Sequence, residues 1–182
     1  MKGIIFTEFL EMVETTFGMK VVDQIIQSSK LPTGGVYSSV GTYSHEEIVQ
    51  LVIQLSKATE IPVPDLIRSF GKYLFQSFSK KYPIFFTGIT SSFDFLGKVQ
   101  GYIHVEVKKL YPEAELPTFE TSLLEGGDFV MLYKSERGMA DLAEGLIIGC
   151  VEYFNEKVNM QKEDLSGGKG KIVRFLIQKL PL

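Results

Sequence analysis

The chain has 182 residues, a formal net charge of −3 and 45% hydrophobic residues, a composition typical of a globular protein long enough to bury a sizeable core. No run of basic residues forms the concentrated cationic surface that nucleic acid binding requires, and no uninterrupted apolar stretch reaches the length of a membrane span. One cysteine and two histidines are too few for an internal disulfide, a cysteine-based zinc site or an iron–sulfur site.

Residues 2–17 carry apolar side chains at helical spacing and predict the first helix. Gly18 ends it, and a second helix is expected through Ile26. Three glutamates within the first helix interrupt any signal-peptide core, so we expect a cytoplasmic protein. Residues 31–43 are rich in Pro, Gly, Ser and Thr and predict a loop.

Ser44 and Glu47 have the spacing of a capping box at the start of the third helix. In this arrangement the Ser44 hydroxyl accepts a hydrogen bond from the Glu47 amide, and the Glu47 side chain reaches back. His45, inside the box, is expected on the solvated surface. The third helix should stop before Pro62, and Pro64 should open the fourth.

After Pro83 the pattern predicts a loop, a long helix that ends before Pro112, and four strands with one more helix between the second and the third. The expected ranges are 92–111 for the long helix, 118–124 and 129–135 for the first two strands, 139–154 for the last helix, and 157–161 and 171–177 for the last two strands. This order predicts one α+β domain over residues 1–182. It would have a helical N-terminal lobe, about 1–62, and a lobe of about 63–182 with a four-stranded antiparallel sheet and helices.

The long helix carries His104 beside an apolar stripe, with Gly97 and Gly101 expected on the same side. Because a helical side chain leans toward the N-terminus, the His104 ring would project over the turn that contains Gly101. Each glycine inside a helix costs about 1 kcal/mol relative to alanine. Close approach of a flat ligand would explain that cost. The alternative is a core histidine bonded to a carbonyl, with the glycines at a helix–helix contact.

Tyr133, Ser135 and Arg137 alternate along the second predicted strand. At strand period their side chains lie on one face, which brings two hydroxyls and a guanidinium together. Because arginine offers a planar fork to a carboxylate, this face would suit a pair of anionic oxygens. A solvated sheet face is the alternative.

In these residues and along its whole length, the chain resembles the H-NOX family, the haem nitric oxide/oxygen-binding domains related to the sensory part of soluble guanylate cyclase. No single motif is decisive, but their order and spacing together are specific. The motifs are Met1-Lys2-Gly3-Ile4-Ile5-Phe6, Phe70-Gly71-Lys72-Tyr73, His104-x-x-Val107-x-Lys109-Leu110-Tyr111-Pro112 with Pro117 beyond, Tyr133-x-Ser135-x-Arg137, and Glu144-Gly145-Leu146.

The resemblance implies non-covalent haem b between the two lobes, with His104 as the proximal iron ligand. It implies that the haem propionates bind to Tyr133, Ser135 and Arg137. It also implies that the macrocycle is pressed from one side by Pro117 and from the other by Ile5. Distortion, burial and the axial ligand all tune a haem.

The resemblance also places a set of side chains over the distal iron site, and none of them donates a hydrogen bond. Bound dioxygen gains negative charge and would be stabilised by about 1.5–3 kcal/mol by a donor. Family members that hold oxygen stably have a tyrosine at the position matching Leu142. We therefore expect nitric oxide and CO to bind and O2 to be excluded, with Tyr43 and Tyr73 the only nearby hydroxyls to consider. The distal residues are Ile5, Phe9, Leu74, Phe78, Leu142 and Leu146.

The signal is expected to leave through His104. In the family, nitric oxide releases the proximal histidine, so its helix would shift and the lobes would rotate slightly. The elements above leave no catalytic or DNA-binding segment, so we expect a sensor and not an enzyme. By resemblance to stand-alone bacterial members, the output would pass in trans to a histidine kinase or a cyclic-di-GMP enzyme.

Two other classes of function stay open at this point. A haem enzyme of the peroxidase kind needs polar distal acid–base groups or a thiolate ligand, which the distal residues do not provide. A haem-free module could bind another apolar ligand in the same cavity. Some family members carry a zinc site of several cysteines, which Cys150 alone cannot build, so we expect no zinc and a small buried residue there.

Overall fold

Helices form the first part of the chain and a sheet most of the last part, in a computed structural model that describes residues 1–181. Leu182, the last residue of the predicted domain, lies outside the described residues. In chain order the elements are α1 (Gly3–Phe17), α2 (Met19–Gln27), α3 (His45–Thr59), α4 (Val63–Lys81), a 3₁₀ turn (Pro83–Phe86), α5 (Ser92–Lys98), a π-turn (Val99–Ile103), α6 (His104–Leu110), β1 (Thr118–Leu123), β2 (Phe129–Lys134), α7 (Ala140–Tyr153), β3 (Val158–Asp164) and β4 (Ile172–Lys179). The α+β class is as the sequence predicts. No helix in residues 1–181 is long and apolar enough to cross a membrane.

The apolar stripe of α1 lies in a core that it shares with α2, α3 and the first half of α4. Phe6, Phe9 and Val13 are fully buried there, which follows from their helical spacing. Gly18 ends α1 at a φ of +87°, a conformation that glycine adopts without a steric penalty.

The start of α3 differs from the predicted capping box. The Ser44 hydroxyl accepts from the Glu46 amide, at 3.2 Å, and not from the Glu47 amide. The Glu47 side chain is buried and accepts instead from Thr33 Oγ1 at 2.5 Å and from the Tyr37 hydroxyl at 3.0 Å. A buried carboxylate needs strong donors, and the preceding loop supplies them. His45 is half-buried and not fully solvated.

The predicted helix over 92–111 is present almost to its end but is not α-helical throughout, because a π-turn (Val99–Ile103) precedes His104 directly. A π-turn inserts one residue, so side chains before it are rotated by about 100° relative to those after it. Gly97, before the π-turn, and Gly101, inside it, are both exposed, with no neighbouring atom within 4 Å of the point where a Cβ would lie. The prediction that they share a ligand-facing side with His104 is wrong.

The sheet is antiparallel with strand order β1-β2-β4-β3. Alternate residues of β2 and β4 are buried against α5 and α7, as the period of two predicts. In this register Tyr133 lies opposite Phe119 of β1 and Val173 of β4. The inner face therefore presents Tyr133 next to the helices.

Helices α4 and α7 cross at very short distance because glycines meet at the crossing. A Cβ on Gly145 would lie 2.1 Å from the carbonyl oxygen of Arg68, and one on Gly71 would lie 2.5 Å from that of Leu142. Beside the crossing, Arg68 Nε donates to the Glu144 carboxylate at 2.9 Å. These contacts fix the part of α7 that begins with Leu142 against α4.

Candidate functional site

A cavity of about 310 Å³ lies between the helices and the inner face of the sheet. Its size is within the range of small-molecule and cofactor sites. The lining residues contributed by α1, α4 and α7 are all apolar, namely Ile4, Ile5, Leu74, Phe75, Phe78, Leu142, Ala143, Leu146 and Ile147. Most of the polar lining groups come from α6 and from the segments next to β1 and β2.

His104, the first residue of α6, lies in the cavity wall with its ring 5.7 Å from the ring of Phe119, centroid to centroid. Burial, and to a smaller extent the charge of Lys108, lowers the pKa of the imidazole from 6.5 to about 4. The ring is therefore neutral at neutral pH, the form in which it binds metals. Its Nδ1 is buried and has no hydrogen-bond partner in residues 1–181, so the bond from Nδ1 to a carbonyl that a core histidine would make is not present.

The π-turn holds this region onto the sheet. The Gln100 side-chain oxygen accepts from the Phe119 amide at 2.9 Å, at the start of β1. The backbone position of His104 is thus linked to the strand that begins just after Pro117, and Pro117 also lines the cavity. The spacing of the sequence gave no sign of this role of Gln100.

Tyr133, Ser135 and Arg137 all line the cavity, although not by strand alternation. Strand β2 ends at Lys134, and a turn follows in which Gly138 has a φ of +63°. The Arg137 amide donates to Ser135 Oγ at 3.2 Å, and the Met139 amide donates to the Tyr133 hydroxyl at 3.1 Å. The predicted extension of the strand to residue 135 is wrong, but the turn brings the three side chains together.

The guanidinium of Arg137 is held by Glu115, a cavity-lining residue that the sequence did not indicate. Arg137 Nη1 donates to the Glu115 backbone oxygen at 2.9 Å, and Nη2 forms an ion pair with the Glu115 carboxylate. The two residues are 22 positions apart, so local spacing carries no signal for this contact.

Five of the six residues predicted over the distal site line the cavity, and Phe9 does not. Phe9 follows Ile5 by one helical turn and lies deeper in the N-terminal core, edge-to-face with Phe70 at 5.3 Å. Tyr43 and Tyr73 do not line the cavity either. The Tyr43 hydroxyl accepts from the Ser38 amide at 2.8 Å.

Two tyrosines that were not predicted over the distal site, Tyr82 and Tyr111, line the cavity. Burial, and then the neighbouring Tyr111, raises the pKa of Tyr82 above its ordinary value. Tyr82 follows Phe78 by four residues, so extending the apolar stripe of α4 by one turn could have found it.

Cys150 is fully buried in α7, with its sulfur 3.9 Å from the carbonyl oxygen of Ser92. Burial raises the pKa of its thiol, which therefore stays protonated. This placement confirms the expectation of a small buried core residue.

The lining residues fit the haem that the resemblance implies. An apolar macrocycle suits the apolar wall, a neutral imidazole suits its iron, and its carboxylates suit hydroxyls and a guanidinium. In the part of the chain that the structure describes, no group of three or more His, Cys, Asp or Glu side chains is placed to hold a metal ion. A metal here would have to bring most of its own ligands.

Comparison with known proteins points the same way. The model of the haem-NO-binding family matches residues 2–162. The structure is similar to that of the unliganded Fe(II) H-NOX protein from K. algicida, with a TM-score of 0.93, 38% identity, and 100% of this chain and 98% of that chain covered. The H-NOX from Shewanella woodyi in the Fe(II)CO state is 40% identical, with a TM-score of 0.85 and coverage of 100% and 95%. An H-NOX protein from S. oneidensis in the Fe(II)NO state is 26% identical, with a TM-score of 0.92 and full coverage of both chains. A search among curated proteins gives no significant match.

Proposed function

The chain belongs to the H-NOX family of haem-binding gas sensor domains, and from this premise we propose that it senses nitric oxide through haem b held by His104. The observation that carries the proposal is a neutral imidazole in the wall of an apolar cavity, with no hydrogen-bond partner for its Nδ1 among residues 1–181. Ferrous haem, when bound, supplies an iron with one position for His104 and one for a diatomic gas. We propose that CO can bind at the same position as nitric oxide, in its place.

The turn after β2 would bind the two propionates. The Tyr133 and Ser135 hydroxyls each accept a backbone N–H, so the proton of each hydroxyl is left to donate to a carboxylate. Arg137 adds a charged donor. Pro117 and Ile5 both line the cavity, and we propose that they press on the macrocycle from its two sides.

The residues of α1, α4 and α7 would exclude oxygen. None of their cavity-lining side chains donates a hydrogen bond, so a ligand that gains negative charge finds no stabilising partner there. Nitric oxide and CO gain little charge when they bind, so the missing donor lowers their affinity only slightly. The same residues offer no acid or base, which favours a sensor over a haem enzyme.

We propose that His104 also sends the signal. When nitric oxide binds, His104 would move out of the cavity wall. The helical segment from α5 to α6 would then shift relative to β1, which it contacts through the Gln100 side chain. The helical lobe, about 1–62, then rotates against the lobe of about 63–182. The partner that reads this change in trans would be a histidine kinase or a cyclic-di-GMP enzyme. Its activity should differ between the unliganded ferrous and nitric oxide-bound forms.

The absorption spectrum of the reduced protein under argon, nitric oxide and air tests the gas selectivity. We expect nitric oxide to shift the Soret band. In air, at early times before the iron oxidises, we expect the spectrum to stay the same as under argon. A stable new spectrum in air would contradict the proposal. A Tyr82→Phe variant is the control, because Tyr82 lines the cavity with its ring 5.7 Å from that of Phe78 in the apolar wall. If Tyr82 donates to oxygen, the wild type forms the complex in air and the variant does not.

A further inference from the structure

The guanidinium of Arg137 already has a carboxylate partner inside the protein. Arg137 Nη1 donates to the Glu115 backbone oxygen at 2.9 Å, and Nη2 donates to the Glu115 carboxylate. The Arg137 side chain is 18% exposed, whereas the Glu115 side chain is 83% exposed. The Arg137 side chain is therefore mostly buried, and the Glu115 side chain contacts it from the solvent side.

The two residues also lie at the cavity, because both line it. Glu115 belongs to the segment between α6 and β1, and Arg137 to the turn after β2. A ligand carboxylate that approaches Nη2 of Arg137 would meet the side chain of Glu115 there. The contact to the Glu115 backbone oxygen uses a different nitrogen and can stay.

We propose that Glu115 is an exchangeable carboxylate cap on Arg137, which it gives up to a haem propionate when haem enters. This inference rests on the proposed function. In the exchange one carboxylate replaces another, so Arg137 has one anionic partner before and after, and the Glu115 carboxylate moves fully into water. No bond is made or broken other than the ion pair and its hydrogen bonds.

The exposed fractions of the Arg137 and Glu115 side chains explain why a propionate can replace the Glu115 carboxylate. The Arg137 guanidinium carries a positive charge and its side chain is only 18% exposed, so a nearby carboxylate stabilises it modestly in the haem-free chain. An ion pair whose carboxylate is mostly in water contributes little, so a propionate held by Arg137 and the hydroxyls can displace it. Glu115 thus keeps Arg137 in position and competes weakly with haem.

The test is the affinity of the haem-free chain for haem in wild type, Glu115→Gln and Glu113→Gln. Glu113 is the matched control, since it is exposed on the same segment and does not line the cavity. We expect Glu115→Gln to bind haem about two- to fivefold more tightly, which is the size of effect expected for a largely exposed ion pair, and Glu113→Gln to match wild type. The haem-free Glu115→Gln variant should also unfold at a lower temperature than wild type.

Haem dimethyl ester, in which both propionates are esterified, gives the second arm. It has no carboxylate to exchange, so wild type and Glu115→Gln should bind it equally well. The inference is overturned if Glu115→Gln leaves haem affinity unchanged or lowers it, or if the gain is as large with the ester. If the wild type binds no haem at all, the proposed function fails and the cap fails with it, whereas a failure in Glu115→Gln alone removes only the cap.

Discussion

A chain in which His104 is replaced by glycine should lose its axial iron ligand and with it most of its affinity for haem. Removing a residue that only hydrogen-bonds to a metal ligand lowers metal affinity by up to about a hundredfold. Removing the ligand itself should cost at least as much, so we expect haem affinity to fall about a hundredfold or more. Added imidazole should restore the Soret band, since the substitution leaves a ring-sized space in the cavity wall. Haem titration of the variant with and without imidazole measures both effects.

His45→Gly is the matched control for this experiment. His45 is the other histidine of the chain and, like His104, the first residue of a helix, but it does not line the cavity. We expect wild-type haem affinity for it and no response to imidazole. If both variants behave alike, His104 does not hold the iron.

Replacing Leu142 with tyrosine should turn the chain into one that holds oxygen. Leu142 lies in the apolar wall of the cavity, and a phenol there would donate to bound oxygen where no donor exists on α1, α4 or α7. A donor to a charged acceptor is worth about 1.5–3 kcal/mol, so oxygen should dissociate about ten- to a hundredfold more slowly. Flash photolysis and stopped-flow mixing in air-saturated buffer measure this rate.

Leu142→Phe separates the hydroxyl from the ring. It adds the same bulk to the cavity and no donor, so we expect oxygen binding as weak as in wild type. Nitric oxide binding should change little in either variant, because that ligand gains little charge. Equal oxygen dissociation in the tyrosine and phenylalanine variants would mean that the missing donor does not explain gas selectivity.

Side-chain period was enough to predict most of the fold. The stripe of α1 and the alternation of β2 depend on contacts that repeat along the chain, and both appear as expected. The π-turn before His104 was not predictable in this way, because it changes the register without changing the apolar pattern. Gly97 and Gly101 were misplaced for this reason.

The site was predicted less evenly. His104 reaches the cavity wall as expected, and so do Tyr133 and its two companions, although a turn and not a strand places Ser135 and Arg137. Phe9 was assigned one helical turn too far from the cavity. Glu115 could not be found, because its contact with Arg137 depends on how the segment before β1 folds against the turn after β2.

The most direct test of the whole account is a titration of the purified, haem-free chain with haem, followed by its absorption spectrum in the reduced state. The account predicts a Soret band that saturates at one haem per chain, with the chain holding the cofactor through later gel filtration. A protein that stays colourless after gel filtration, even from excess haem, would contradict it.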